Sequence, residues 1–490
     1  MKKRIHSTLI LFCILIFLLS LNVVRFALIH HESLSTTASA QRKHTDTLGI
    51  YRGCIYDKNM IPLANAPLDI YSDIFGNDIN MYKRYPEDSL CRHGVGYVYR
   101  SGEGAWGLEK YFDAVLKDDT KINLTYIKDT HGTPIVPQAV AKENTSYIPD
   151  RNLKTTIDYK IQKIAEEASD IYMKRGAVVI VDTDTFDVAA MVSRPNFDQT
   201  DVEKSFGAEG SPLMNKALCA YNAGSIFKTI TAAAMLENNM DKNLVFECTG
   251  VYNADGKDFL CNKTDGHGKL DFKNAYAKSC NCFFYNGGVL ATGEELVQTA
   301  EKFGLGKKHL NCDIAESNGI LPYRESYSLR ECANLSIGQG EILVTPLQAA
   351  NMMAIVANGG IGKKINLADS ITDKRGAVIQ NLRAEGSERI ISPETAYVLG
   401  DMMREAVLEG TAQSVQNGVV AIAGKTGTAQ TGWVENGEIM THGWFCGFFP
   451  YDNPKYAMAV FAENGKSGSE ACIPLFRRIV LEINEVYNGL

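Results

Sequence analysis

An uninterrupted apolar segment near the N-terminus constrains the chain most. Basic residues at positions 2–4 precede STLILFCILIFLLSLNVV, and no further charged residue appears before Arg25. This run is long enough to cross a bilayer, and the positive cluster predicts a cytoplasmic N-terminus with the rest of the chain outside. A cleaved signal peptide is the alternative, because residues 38–40 read Ala-Ser-Ala. That site lies far beyond the apolar run, so we predict an uncleaved single-pass anchor over residues 1–29.

Length and composition place the rest of the chain among ordinary globular proteins. The 490 residues are 45% hydrophobic and 22% charged, with a net charge of −7. This length predicts two or more domains with ample core. No basic stripe is interleaved with aromatic residues, which argues against nucleic-acid binding. We expect a polar Ser/Thr-rich linker over residues 30–46, a small α+β domain over 47–150, and a larger domain over 151–490.

Sequence patterns in the larger domain predict the order of its helices and strands. A helical pattern in LKTTIDYKIQKIAEEASDIYMKR precedes two strands in GAVVIVDTDTFDVAAMVS, and helical patterns dominate from residue 224 to 410. Three strand patterns follow, in VVAIAGKTGTAQTGW, HGWFCGFFPYD and YAMAVFAEN, before a closing amphipathic helix. This order predicts an α+β domain, with one antiparallel sheet flanked by helices.

The segment AGSIFKTITAAAML places Ser225 and Lys228 at the start of a helix. Residues three apart on a helix are neighbours, so the lysine can reach the serine hydroxyl. A desolvated lysine can serve as the base that such a hydroxyl needs to become a nucleophile. The helix N-terminus favours developing negative charge. Taken alone, however, the pattern favours a capping serine and a solvated lysine.

Two further motifs support a catalytic interpretation of Ser225 and Lys228. KSCNCFFYN places Ser279 two residues before Asn281, where a second hydroxyl can relay a proton and an amide can hold a peptide. AGKTGTAQ places Lys425 at the entry of a strand, where it supplies positive charge, and Gly427 allows close approach of a substrate backbone. A similar Lys-Ser-Gly at residues 466–468 follows the last strand and is predicted to lie in a turn.

The order Ser-x-x-Lys, Ser-x-Asn, Lys-Thr-Gly is that of penicillin-binding proteins and serine β-lactamases. The chain resembles class B penicillin-binding proteins, which are monofunctional peptidoglycan D,D-transpeptidases. The stretches YRGCIYDKNMIPLA, KRYPEDSLCRHGVGYV, GAWGLEKYFDAVL and IGQGEILVTPLQAA are similar to recurring family segments. The resemblance implies the serine β-lactamase/transpeptidase-like fold, preceded by a dimerisation-type pedestal domain over residues 47–150 and a single transmembrane anchor.

The resemblance also implies catalytic roles for four residues. Ser225 would be the acylated nucleophile and Lys228 its base. Ser279 and Lys425 would relay the proton to the leaving D-alanine. The backbone N–H groups of Ser225 and Thr428 would form the oxyanion hole that a tetrahedral intermediate needs.

Four positions would bind the substrate on the same basis. Asn281 would hold the stem peptide, and Thr426 and Thr428 would bind its terminal carboxylate. Gly427 would have a spacing role. Stem peptides and β-lactams are the implied ligands, and a SEDS-family glycosyltransferase is the implied partner. No cofactor or metal is implied. Two alternatives remain open: a class D-like β-lactamase or β-lactam sensor, and a non-catalytic scaffold of a cell-wall complex.

Twelve cysteines raise a separate question. One lies in the anchor, which leaves an odd number outside, so at least one thiol is unpaired within the chain. Cys248 and Cys261 are the favoured disulfide pair, in a polar loop region. With His267 they also suggest zinc, but the spacing matches no standard pattern, so we favour a structural loop. Cys280 and Cys282 flank Asn281, and packing is the favoured interpretation there over a reactive thiol.

Overall fold

The structure is a computed structural model that describes most of the chain. The described residues are 2–65, 84–86, 88–99, 102–128, 134–135, 149–241, 244–435, 438–487 and 489. They form two compact units: one runs up to Tyr51 and includes 118–128 and 134–135, and the other contains 52–65, 84–117 and the chain from 149 onward. The predicted boundary between residues 150 and 151 stays a prediction. Part of the predicted small domain lies outside the described residues.

The first unit begins with the apolar helix. This helix, Lys2–Ile29, has 28 residues and a mean hydropathy of 2.6 in its most apolar window, so it is long and apolar enough to cross a membrane. A second helix, His31–Arg42, occupies most of the segment that the sequence predicted as a linker. A three-stranded sheet completes the unit, in the order Lys43–Arg52, Lys117–Lys128, Pro134–Ile135.

A five-stranded sheet organises the second unit. Every neighbouring pair of its strands is antiparallel, as the sequence predicted. The order across the sheet is Ala423–Glu435, Glu438–Phe449, Tyr456–Ala462, Gly176–Asp182, Val188–Arg194.

The inner part of this sheet is buried on both faces, which explains why Gly176–Asp182, Val188–Arg194 and Tyr456–Ala462 are apolar at most positions. In GAVVIVD, Val178 and Ile180 share one core with the helices Tyr159–Tyr172 and Ile473–Val486. Val179 points the other way, into the main core under the remaining helices. Alternation along the strand therefore fills two cores at once.

The second unit contains further helices and helical turns. The α-helices are Arg92–Val95, Gly107–Tyr111, Asp113–Leu116, Lys228–Glu237, Phe272–Ala277, Asn281–Ala291, Gly293–Lys302, Leu329–Ser336, Pro346–Ala357, Pro393–Leu408 and Gly468–Ala471. The 3-10 turns are Val202–Ser205, Gly224–Phe227 and Gln413–Val415.

The region predicted as a helical block also contains two small hairpins. Phe246–Cys248 pairs with Gly268–Leu270, and Val251–Ala254 pairs with Lys257–Leu260. The second hairpin turns at Asp255-Gly256, where both φ angles are positive (50° and 74°), the conformation that a tight two-residue hairpin favours. Asp255-Gly256 is thus a turn signal that the sequence analysis did not use, because helical patterns dominate the surrounding region.

Smaller sheets complete the second unit. A second five-stranded sheet has the order Val378–Asn381, Ala368–Thr372, Asn152–Thr155, Ile55–Tyr56, Pro62–Ala64. Its last two strands come from the predicted small domain. The two remaining pairs are Tyr221–Asn222 with Leu343–Val344, and Ile361–Lys363 with Ser387–Arg389.

A buried ionic cluster joins three of the stretches that carried the family resemblance. Glu109 accepts from Arg52 Nε at 2.6 Å, and its other oxygen lies 2.7 Å from Arg84 Nη2. Tyr85 Oη donates to the same carboxylate at 2.8 Å. The two guanidinium groups and the carboxylate are almost entirely buried. We refer to Arg52, Arg84 and Glu109 as the arginine–glutamate cluster.

Candidate active site

Ser225 lies in a 3-10 turn, Gly224–Phe227, which leads directly into the helix Lys228–Glu237. Its side chain is only partly buried. Gly224 has a φ of 55°, and a Cβ there would lie 2.5 Å from the carbonyl oxygen of Thr428. Glycine is therefore required, and it lets the serine turn lie directly against the neighbouring strand.

Lys228 is completely buried and hydrogen-bonded to the second motif. Its Nζ donates to the carbonyl oxygen of Ser279 at 2.8 Å, to Ser279 Oγ at 3.1 Å and to Asn281 Oδ1 at 2.6 Å. Burial lowers the pKa of this lysine from 10.5 to about 7, against an opposing effect of nearby thiols. Its amine is therefore substantially neutral near neutral pH and can act as a base.

Ser279 adopts a left-handed backbone conformation between the helices Phe272–Ala277 and Asn281–Ala291. Its φ of 54° is uncommon for a residue with a side chain. Its N–H donates to the carbonyl oxygen of Tyr276 at 3.0 Å. In this conformation both the hydroxyl and the carbonyl of Ser279 reach Lys228, so the local strain is associated with the site.

Lys425 is the second completely buried lysine. It lies on the edge strand of the central sheet, and its Nζ donates to the carbonyl oxygen of Thr426 at 3.0 Å. The ammonium lies 5.7 Å from the centre of the Tyr276 ring. Burial, together with the charge of Lys228, lowers the pKa of Lys425 well below 10.5.

Gly427 fits the strand tightly against the serine turn. It pairs with Trp444 on the neighbouring strand. A Cβ at Gly427 would lie 2.9 Å from Ile226 Cγ2 and 3.4 Å from the Ile226 backbone nitrogen. The Trp444 indole N–H donates to the carbonyl oxygen of Asn222 at 2.9 Å, which ties the sheet to the chain just before Ser225. The spacing role predicted for Gly427 thus has a physical basis.

The two threonines of the Lys-Thr-Gly-Thr stretch differ in environment. Thr426 is buried, and its hydroxyl lies 2.6 Å from the hydroxyl of Thr411. Thr428 is exposed. Ser469, next to the Lys-Ser-Gly stretch at residues 466–468, donates to the carbonyl oxygen of Thr411 at 3.2 Å. That stretch lies beside the site, where Ser467 caps a short helix.

A cavity of about 610 Å³ opens over these residues, a size suited to a peptide-like ligand. Among the residues predicted from sequence, Ser225, Ser279, Asn281, Thr426 and Thr428 line it. The full lining is Ser225, Leu260, Asn262, Ser279, Asn281, Tyr285, Asn334, Ile337, Gln339, Gly340, Thr411, Thr426, Thr428, Gln430, Thr441 and Ser469.

Sequence reasoning missed several residues of this site. Thr411 has no motif, because it lies in a loop after the helix Pro393–Leu408 and reaches Thr426 only through the fold. Tyr276 and Tyr285 also went unnoticed, although both lie within a few residues of Ser279. Trp444 belongs to the stretch HGWFCGFFP, which the sequence analysis treated only as a strand.

The site as a whole combines a partly exposed serine, two buried lysines of lowered pKa and a second serine hydroxyl that is hydrogen-bonded to one of these lysines. Such a set can transfer an acyl group through a serine ester. With the antiparallel sheet and its flanking helices, these features define a serine acyltransferase of the transpeptidase fold.

Comparison with known proteins identifies the family. Residues 176–481 match the penicillin binding protein transpeptidase domain. The chain is 30% identical over 462 residues to the penicillin-binding protein PbpB of Mycolicibacterium smegmatis, covering 87% of this chain and 68% of that protein. It is 28% identical over 491 residues to the peptidoglycan D,D-transpeptidase PbpA of the same species, covering 95% and 94%.

A solved structure agrees on the fold. The imipenem acyl-enzyme complex of penicillin-binding protein A from M. tuberculosis superposes with a TM-score of 0.72 at 24% identity, covering 89% of this chain and 99% of that one. The chain belongs to the penicillin-binding protein transpeptidase family, within class B. The α+β transpeptidase fold predicted from sequence is confirmed, and the pedestal domain stays a prediction.

Proposed function

We propose that this chain is a peptidoglycan D,D-transpeptidase whose acyl-enzyme forms on Ser225. The observation that carries the assignment is the position of Lys228, which is fully buried and donates hydrogen bonds to both Ser279 and Asn281. No carboxylate forms an ion pair with this lysine in the described part of the chain. A lysine held in this way is available as a neutral base at the turn that carries Ser225.

In the first step, Ser225 Oγ attacks the carbonyl carbon of the D-Ala-D-Ala bond of a stem peptide. Lys228 accepts the hydroxyl proton and gives it to Ser279 Oγ as that hydroxyl donates its own proton to the nitrogen of the leaving D-alanine. Lys425, whose pKa is lowered as well, would take part in the same proton relay. The C–N bond breaks as the serine ester forms, so atoms and charge balance without a cofactor.

Substrate binding follows from the strand that carries Lys425. Thr426 and Thr428 line the cavity and offer hydroxyls to the terminal carboxylate. The contact between Gly224 and the Thr428 carbonyl holds the serine turn against this strand. This contact supports an oxyanion hole made by the N–H groups of Ser225 and Thr428. Asn281 would hold the peptide.

In the second step, an amine of a neighbouring peptidoglycan strand attacks the ester carbonyl, closes the crosslink and regenerates the serine. β-Lactams would acylate Ser225 because their ring amide resembles the D-Ala-D-Ala end. The M. tuberculosis protein of the same fold has been captured as an acyl-enzyme with imipenem. A β-lactamase would differ only in clearing such an ester quickly.

We also propose that the helix Lys2–Ile29 anchors the chain with its N-terminus in the cytoplasm and its catalytic unit outside. A SEDS-family glycosyltransferase is the proposed membrane partner. Protease added to intact cells without an outer membrane, or to spheroplasts, should digest the chain beyond the anchor. Full protection would contradict this topology.

A direct test follows the mass of the full-length chain in detergent after addition of a fluorescent penicillin. A long-lived adduct that is absent in Ser225→Ala is the expected result. Ser467→Ala is the matched control, since its serine lies outside the cavity lining, and should keep the adduct. An adduct that clears within seconds would indicate a β-lactamase. If no lactam gives an adduct and no D-alanine is released from a stem peptide, the scaffold alternative holds.

A further inference from the structure

Two buried aromatic rings face the two lysines of the active site. The Lys228 ammonium lies over the Phe284 ring, 5.5 Å from its centre, and the Lys425 ammonium lies over the Tyr276 ring, 5.7 Å from its centre. Both rings are completely buried. The face of an aromatic ring carries partial negative charge and attracts a cation within about 6 Å. Each lysine therefore has one aromatic partner, and the mechanism proposed above uses neither ring.

The two rings flank the turn that carries Ser279. Tyr276 belongs to the helix Phe272–Ala277, which ends before this turn, and Phe284 belongs to the helix Asn281–Ala291, which begins after it. The ring centres are 6.2 Å apart, and the ring planes are inclined at 62°. This edge-to-face contact is a favourable arrangement for two aromatic side chains, so the rings hold each other in orientation.

Tyr276 also contacts all three sequence motifs of the site. Its Oη lies 2.9 Å from the hydroxyl of Thr229, the residue that follows Lys228 on the serine helix. Its backbone carbonyl accepts a hydrogen bond from the Ser279 N–H at 3.0 Å. Its ring faces Lys425 on the edge strand. One residue thus relates the positions of the two lysines and of the second serine.

An aromatic ring is a weaker partner for a buried ammonium than a carboxylate is. A carboxylate beside an amine strongly favours the protonated form, whereas a ring changes the protonation equilibrium by about tenfold in a desolvated site. Among the described residues, no carboxylate forms an ion pair with Lys228 or Lys425. A ring partner leaves each lysine able to lose its proton and still stabilises the ammonium that forms when the lysine accepts one.

We propose that Phe284 and Tyr276 are positioning residues that determine which of the two active-site lysines carries the proton. The inference rests on the proposed function, in which Lys228 is the base and Lys425 takes part in the relay. Phe284 stabilises the proton on Lys228, and Tyr276 stabilises it on Lys425. Because the two ammonium groups repel each other, neutral Lys228 is most populated when Lys425 holds the proton. Neutral Lys228 is the form that accepts the proton of Ser225.

The other ionisable groups beside the lysines, in the part of the chain that the structure describes, are thiols and one phenol. Those facing Lys228 are the thiols of Cys261, Cys280 and Cys282. The Tyr276 phenol stays protonated because burial raises its pKa above the ordinary value of 10.0. Burial likewise raises the pKa of Cys446, the thiol near this phenol. The ring substitutions below alter none of these thiols.

The test measures the pH dependence of Ser225 acylation in the full-length chain in detergent, by single-turnover labelling with a fluorescent penicillin. Phe284→Leu should move the midpoint of the rate to lower pH by about one unit, because the Lys228 ammonium loses its partner. Tyr276→Leu should move it to higher pH by about half a unit, because the proton shifts from Lys425 to Lys228. Water entering either space would favour both ammonium groups and raise both midpoints, so shifts of opposite sign identify the rings as the cause.

Phe283→Leu is the matched control for loss of packing. Phe283 is as buried as Phe284 and lies on the same helix, and no lysine lies over its ring among the described residues. Its replacement should lower the melting temperature without moving the midpoint. Tyr276→Phe keeps the ring and removes the hydroxyl, so it should keep the wild-type midpoint. A shift in Tyr276→Phe as large as in Tyr276→Leu would assign the effect to the hydroxyl and overturn the role of the ring.

A fluorinated phenylalanine in place of Phe284 keeps the proposal testable if the leucine variants do not fold. Fluorine weakens the negative charge of the ring face while the ring keeps its shape. The midpoint should therefore move to lower pH as the number of fluorine atoms increases. An unchanged midpoint in this series, or shifts of the same sign in both leucine variants, would overturn the proposal. A wild-type chain that no lactam labels would contradict the proposed function, and this inference with it.

Discussion

Two buried groups of charged side chains in the second unit show opposite electrostatic arrangements. In the arginine–glutamate cluster, each charge faces a partner of opposite sign. Burial alone would raise the pKa of Glu109, but Arg84 and Arg52 lower it overall. The carboxylate therefore stays ionised between its two guanidinium partners.

The two lysines of the active site have no such compensation. Lys228 and Lys425 are as deeply buried as the arginines, yet neither forms an ion pair with a carboxylate among the described residues. Burial lowers both pKa values, and the charge of Lys228 lowers that of Lys425 further. The comparison distinguishes two kinds of buried cation. An arginine beside a carboxylate keeps its charge and stabilises the fold, whereas a lysine without a carboxylate partner has a lowered pKa and loses its proton more readily.

The largest effect is expected from removing the unpaired base. Lys228→Met should slow acylation of Ser225 by at least about 10³-fold, because the hydroxyl loses its proton acceptor. The melting temperature should stay the same or rise, since an unfavourably buried amine is removed. Single-turnover labelling with a fluorescent penicillin and thermal unfolding measure the two effects.

Lys216→Met is the matched control for this change. Lys216 is also a buried lysine, but it lies 3.0 Å from a carboxylate oxygen of Glu463. Its replacement should lower stability while labelling persists in the folded fraction. A Lys228→Met protein that is destabilised and still labels at the wild-type rate would remove the distinction between paired and unpaired lysines.

The next effect concerns the paired cluster. Glu109→Gln removes the buried negative charge shared by Arg52 and Arg84, so both guanidinium groups lose an ionic partner, although Arg52 keeps Asp113 at 2.7 Å. We expect the free energy of unfolding in urea to fall by about 3–5 kcal/mol. Glu103→Gln, an exposed acid in the same segment, should change it by less than about 0.5 kcal/mol. Equal effects of the two substitutions would show that the cluster does not stabilise the fold.

The pH dependence of acylation should report the unpaired lysine. Because the pKa of Lys228 is lowered to about 7, the rate should rise with pH through 7 and be about tenfold below its plateau at pH 6. The nearby titratable groups are Lys425 and the thiols of Cys261, Cys280 and Cys282. A rate that stays flat between pH 5.5 and 8.5 would rule out a titrating base of this kind.

The free energy of unfolding should also depend on pH through the protonation of Lys228, and the direction of this dependence can be predicted. The unfolded chain keeps the ordinary lysine pKa of 10.5, so it binds more protons than the folded chain between pH 7 and 10.5. The contribution of Lys228 to the free energy of unfolding therefore rises with pH over that interval. Comparison of wild type with Lys228→Met by urea unfolding at pH 7 and pH 9 isolates it, and the difference should be absent if the lysine is not perturbed.

Sequence alone went furthest where a motif is local. Ser225 and Lys228 are three residues apart, and the three strand patterns that end the domain are clear enough to predict the sheet. The structure brings Ser225, Ser279 and Thr428 to one cavity. Their functional roles stay predictions that the labelling experiments address.

Contacts between residues that are far apart in sequence could not be predicted from local motifs. Glu109 meets Arg52 across 57 residues of sequence and Arg84 across 25, and nothing in either stretch specifies its partner. Cys280 Sγ lies 3.9 Å from Cys261 Sγ only because two strand pairs fold back onto the start of a helix. All the cysteines are free, so the disulfide predicted between Cys248 and Cys261 is not present. Burial strengthens the electrostatic effect of contacts such as that of Glu109, and burial depends on the whole fold.

The smallest predicted effect concerns a residue that only the fold revealed. The Thr411 hydroxyl lies 2.6 Å from that of Thr426 and orients a group proposed to bind the substrate carboxylate. Thr411→Val keeps the shape and removes one neutral hydrogen bond, worth about 1 kcal/mol. Acylation should therefore slow about fivefold, with little change in melting temperature.

Thr411→Ser is the control, because it keeps the hydroxyl and should restore most of the rate. The loss in Thr411→Val should be larger for a stem peptide, whose carboxylate is flexible, than for a rigid β-lactam. An equal loss for both substrates would mean that Thr411 supports the strand and not the carboxylate contact. That outcome would give Thr411 a structural role, like that of the arginine–glutamate cluster, and no direct role in substrate binding.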